Sequence, residues 1–73
     1  MYELYNPHYY CSKSGIEAID IIEEFDLNFN LGNTIKYVVR AGKKEDKVKD
    51  LKKALWYLER EIHNVLEELN LQE

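Results

Sequence analysis

Apolar residues recur along this chain at helical spacings, and nowhere do they alternate as a half-buried strand would require. Ile16, Ile19, Ile22 and Phe25 form one stripe, with Glu17, Asp20, Glu23 and Glu24 facing elsewhere. Ser14 as cap, with Glu17 three residues on as capping-box partner, predicts a first helix over 15–25. Leu31, Ile35, Val38 and Val39 mark a second helix over 31–41, capped by Asn28 or Asn30. Gly42 stands just past its end, where a positive φ is needed.

The third pattern is the longest. Val48, Leu51, Leu55, Leu58, Ile62, Val65 and Leu69 alternate spacings of three and four, a seven-residue repeat held for three heptads. It predicts a helix over 45–69 that starts at the carboxylates of Glu45 and Asp46. Its seam is expected to pack on helix one or on another subunit, with Trp56 and Tyr57 beside it. Residues 1–14 show no period. They form an irregular arm rich in Tyr2, Tyr5, Tyr9 and Tyr10, in which Pro7 holds Asn6 extended. The expected fold is all-α: one small three-helix domain over 1–73, with an aromatic N-terminal arm and a long C-terminal helix.

Size changes this picture. A chain of 73 residues buries a limited fraction of its surface. Small scaffolds compensate with disulfides, metals or oligomerisation. The single cysteine, Cys11, excludes an internal disulfide, and His8 and His63 lie too far apart in sequence to suggest a metal site. Homo-oligomerisation is the device left. One thiol fits a reducing compartment, no apolar run approaches the roughly 20 residues that span a membrane, and the start Met1-Tyr2-Glu3-Leu4-Tyr5 lacks the features of a signal peptide. A cytoplasmic, non-membrane protein is expected.

Charge is unevenly spread. The net charge is −4, yet 36–53 holds eight Lys/Arg against three Asp/Glu. A general nucleic-acid binder is usually basic overall. An acidic body with one basic zone suits a small anion, and a nucleic-acid partner is not expected. The plain alternative for Lys47, Lys49, Lys52 and Lys53 is a solvated helix face.

Where that zone begins, Asn33, Lys36, Tyr37 and Arg40 stand at i, i+3, i+4 and i+7, on one helix face. Arg40 offers a planar fork for phosphate and Lys36 a point charge. Tyr37 can stack on a base, and Asn33 can read a polar edge. The alternative is an amphipathic face salt-bridged to the acidic first helix. Gly42-Lys43-Lys44 could present free backbone N–H groups and two cations to an anion, or be an ordinary helix end. It is not a P-loop. His8 and Tyr9 could close over a planar ligand, as aromatic platforms do, or the arm's tyrosines could plug an interface. Glu17, Asp20 and Glu24 could hold Mg²⁺ beside a nucleotide, with pairing to Lys36 and Arg40 the simpler role. No catalytic residue, resident metal or cofactor is identified.

These blocks carry a resemblance. Pro7-His8-Tyr9, Gly15-Ile16-Glu17-Ala18-Ile19-Asp20, the run Gly32-Asn33 through Lys36-Tyr37 to Arg40-Ala41-Gly42-Lys43-Lys44, and Asp50-Leu51 with Trp56-Tyr57-Leu58 are similar to a phage family catalogued as domain of unknown function 3310. The likeness runs from about residue 7 to 62. Some members are labelled nucleotide kinases, by similarity to a longer phage enzyme acting on deoxynucleoside monophosphates. The resemblance implies a nucleotide-type ligand for His8, Tyr9, Asn33, Lys36, Tyr37, Arg40, Lys43 and Lys44. It leaves three readings open. One is a phage protein that binds or sequesters a nucleotide or nucleotide-derived immune signal. The second is a nucleoside monophosphate kinase, with Mg²⁺. The third is a helical protein-interaction module.

Overall fold

The computed structural model describes residues 8–44 and 46–69, so Tyr2, Tyr5, Pro7 and Glu45 lie outside the described residues. A 3₁₀ turn, His8–Tyr10, is followed by three helices: α1 (Ala18–Glu24), α2 (Phe29–Arg40) and α3 (Lys47–Glu68). The fold is all-α among the described residues. Its only strand-like feature there is an isolated antiparallel bridge between Cys11 and Glu17.

That bridge explains why the first helix starts later than the 15–25 expected. The Ser12 N–H donates to the Ile16 carbonyl at 2.7 Å, and the Ile16 N–H returns a bond to the Ser12 hydroxyl at 2.9 Å. Gly15 at φ +92° closes the turn between them. Ser14 therefore does not cap. Glu17 is the N-cap, and Asp20 takes its N–H at 2.8 Å. The helix ends on Asp26 at φ +54°. Asp26 and Leu27 donate to the Glu23 and Ile22 carbonyls at 3.1 and 2.9 Å, the paired bonds of a Schellman ending.

Asn28 caps α2 as one of the two expected candidates, accepting the Leu31 N–H at 2.9 Å. Gly32 lets α1 approach, since a Cβ there would meet the Ile22 side chain at 3.4 Å. Gly42, at φ +82°, ends the turn after α2 as anticipated. Asp46 caps α3 through the Val48 N–H at 2.8 Å.

α2 is the hub, touching α1, α3 and the 3₁₀ turn. It forms an antiparallel hairpin with α3: Arg40 meets Asp50, Tyr37 meets Tyr57, and Asn30 meets Glu61. The face α3 turns to α2 is thus Asp50, Ala54, Tyr57 and Glu61, at helical spacing and mostly polar.

The apolar seam of α3 does not face α2. Its seven residues are 39–59% exposed. At about 100° per residue, seam and inner stripe lie a little over a quarter of a turn apart. The expectation that the seam packs on helix one is corrected accordingly within this chain. The stripe expected on α1 is corrected likewise, because Ile16, Ile19 and Phe25 are exposed. Among the described residues, Ala18 and Ala54 are the only fully buried apolar side chains.

Candidate functional site

At the loop end of the hairpin, Arg40 and Asp50 form a buried ion pair. Arg40 is 5% exposed and Asp50 is 0% exposed. Their Nη2 and Oδ1 atoms are 2.7 Å apart. The hydrogen bond to Arg40 holds the Asp50 carboxyl below its ordinary range, against a burial that pushes it up. The same bond drives the Arg40 guanidinium above its usual value, with burial opposing and Tyr10 assisting. Arg40 also donates through Nη1 to the Tyr10 hydroxyl at 3.4 Å, which ties the N-terminal turn to the hairpin.

The guanidinium carbon of Arg40 lies 4.8 Å from the centroid of the Tyr37 ring. The ammonium groups of Lys36 and Lys53 stand 5.0 and 5.2 Å from the same ring. Cation–π attraction draws charge to an aromatic face at this range. Tyr37 stacks on Tyr57, with centroids 6.0 Å apart and planes at 10°. Tyr57 in turn meets Phe29 and Trp56 edge-on at 5.9 and 5.1 Å. Tyr37, Lys53, Trp56 and Tyr57 line an open groove of about 330 Å³. That lies at the lower end of ligand-pocket volumes. Trp56 is 59% exposed, so one wall is a largely free indole.

A second aromatic-cation contact sits near the loop. His8 packs edge-on against Tyr9 at 5.5 Å, Tyr9 against Tyr10 at 4.7 Å, and the Lys44 ammonium stands 5.5 Å from the Tyr9 centroid. Arg40 joins the two clusters, since it touches Tyr10 on one side and Tyr37 on the other.

The structure therefore brings Lys36 to the Tyr37 ring that lines the groove, and His8, Tyr9 and Lys44 together at the loop. Lys43 is exposed on the turn, where its N–H donates to the Arg40 carbonyl at 2.8 Å. Asn33 is set apart. Its amide donates to the Phe29 carbonyl of its own helix at 2.9 Å, and it lines a different hollow with Ile22 and Leu27. Arg40, expected to take phosphate, is instead buried and paired. An acid it meets is Asp50 of α3. Asp20 serves the cap of α1 through Oδ2, and no group of three or more His, Cys, Asp or Glu among the described residues is arranged to hold a metal ion. At the α3 N-terminus Asp46 takes one of the backbone N–H groups, that of Val48.

Sequence reasoning missed Asp50, Lys53 and Phe29 as parts of this arrangement and treated Trp56 and Tyr57 as packing. One signal was available. Asp50 stands alone among Lys47, Lys49, Lys52 and Lys53, and a single acid inside a basic run is a candidate for a buried partner.

Comparisons with known proteins add lineage. The family described as a protein of unknown function, DUF3310, matches residues 4–59 of the chain. The gene 1.7 protein of Enterobacteria phage T3 is 40% identical over 62 residues, which cover 74% of this chain and 38% of that protein. The chain thus spans well under half the length of this relative. No solved structure matches.

Proposed function

The chain belongs to the DUF3310 family, and on that footing we propose that it is a phage-encoded protein that binds a nucleotide or nucleotide-derived signal without transforming it. One observation carries the reading: three cationic groups within 5.2 Å of the Tyr37 ring, beside an open aromatic groove. A nucleotide is both planar and anionic, and this groove offers both complements. Trp56 and Tyr57 receive the base, because aromatic faces stack on any base. Lys36 and Lys53 receive the nearer phosphate charge. Lys43 and Lys44, with His8 and Tyr9 beside Lys44, extend the basic surface toward the loop for a longer ligand. Arg40 acts from beneath, holding Tyr37 and Tyr10 while it stays paired with Asp50.

A second reading draws on the exposed seam of α3: the long helix is an interaction module and the groove holds nothing. Thermal shift against mono-, di- and cyclic nucleotides separates the two. A ligand at 100 times its Kd adds about 2.7 kcal/mol of stability, and Trp56→Ala should weaken binding about tenfold while leaving the melting temperature of the free protein nearly unchanged. No shift from any nucleotide favours the module. Incubation with ATP, Mg²⁺ and each deoxynucleoside monophosphate tests the remaining alternative, since formation of diphosphates would replace binding with a nucleoside monophosphate kinase activity.

A further inference from the structure

The apolar seam of α3 is the largest feature that the groove leaves unused. Trp56 and Lys53 lie on the far side of the inner stripe from the seam, at about 100° per residue around the helix. Whatever covers the seam leaves the groove open. The seam does not belong in water: six aliphatic residues in heptad register run along a 22-residue helix and a seventh, Leu69, stands at its C-cap, while the chain buries only Ala18 and Ala54 among its described apolar side chains. Exposed apolar surface on this scale marks a docking face.

Charge identifies the occupant. The positions flanking the seam are basic in the first half of α3 (Lys47, Lys52) and acidic in the second (Glu59, Glu68), and all four are exposed. A parallel copy would set Lys47 against Lys52 of that copy and align the helix dipoles. An antiparallel copy matches every sign. With the seam in register, Leu55 meets Leu58, Leu51 meets Ile62 and Val48 meets Val65. Lys47 then faces Glu68 and Lys52 faces Glu59 of the second copy. A two-fold axis through the 55–58 layer doubles each match, as a self-complementary interface requires. An anionic lipid surface fits the seam less well, because its acidic half would be repelled.

We propose that the chain forms an antiparallel homodimer through the Val48–Leu69 seam of α3, with Lys47–Glu68 and Lys52–Glu59 pairs flanking it. The proposal is independent of what the groove binds. Sedimentation equilibrium of the full chain tests it. The wild type should be dimeric. Lys47→Glu with Lys52→Glu should raise the dimer dissociation constant about tenfold or more, since each reversed pair counts twice. Adding Glu59→Lys and Glu68→Lys to that chain should restore it. A monomeric wild type, an unaffected double variant or an unrescued fourfold variant would overturn the proposal. Cross-linking provides a readout that does not depend on the charge variants. In a Cys11→Ser background, Leu51→Cys chains mixed with Ile62→Cys chains should form disulfide dimers, and Leu51→Cys chains alone should not. Cross-linking of Leu51→Cys to itself would indicate the parallel arrangement and overturn the antiparallel one.

Discussion

Two stripes of the same helix, α3, behave in opposite ways. The stripe turned toward α2 is mostly polar: Asp50 pairs with Arg40, Tyr57 stacks on Tyr37, and Glu61 accepts the side-chain amides of Asn28 and Asn30 at 2.9 and 3.3 Å. The stripe turned outward is aliphatic and half in water. An ordinary surface helix is arranged the other way, with its apolar stripe on the chain's own core. Here directional contacts fix the hairpin's register, and the hydrophobic driving force is displayed where a second molecule can use it. Specificity within the chain and the proposed association between chains fall to different faces.

The strongest way to break this contrast is to remove the ion pair. Arg40→Ala leaves the Asp50 charge buried without its partner and should lower the melting temperature by about 10–20 °C, read by circular dichroism. An unchanged melt would show that the inner stripe does not hold the hairpin. Asp50→Asn sharpens the point through pH. The carboxyl of Asp50 is held below its ordinary range, so its stabilisation is complete at neutral pH and is lost as pH falls through that lowered value. The gap in melting temperature between wild type and Asp50→Asn should be widest near neutrality and close well below pH of about 4. Glu61→Ala comes next. It removes the acceptor shared by two amides at the far end of the hairpin, where water can replace part of it, and should cost about 1 kcal/mol in a chemical denaturation curve. The smallest effect belongs to the seam. Leu55→Gln, measured at concentrations where the chain is monomeric, should change stability by less than about 1 kcal/mol, because that side chain is already half exposed. A larger loss would mean that the outer stripe supports the lone chain after all.

Much of the fold was legible in the sequence. The Asn28 cap, the positive φ at Gly42 and the extent of α3 follow from local rules, since caps and turns depend on residues a few positions apart. The start of α1 was not legible, because a turn over 12–16 competes with Ser14 for the same backbone groups. The spacing allowed the α3 seam either helix one or another subunit, and the structure removes the first. Heptad spacing shows that an apolar stripe exists, not which molecule covers it. The candidate site divides on the same line. Lys36 and Tyr37 share a helix face by spacing alone. Lys53, Trp56 and Tyr57 join them only because the hairpin register brings α3 alongside α2, and the burial of Arg40 depends on Asp50 arriving from that helix.

The register also bears on the order in which the chain assembles. The contacts that define the hairpin lengthen steadily away from its loop: Arg40 and Asp50 are 10 residues apart, Asn30 and Glu61 are 31, and Asn28 and Glu61 are 33. Closing the short loop first leaves less chain entropy to lose at each later pair. This gradient of separation favours a hairpin that closes first at the turn between α2 and α3 and zips outward. The seam is on display as soon as α3 forms, so the chain pairing proposed above would come last, at a rate set by protein concentration.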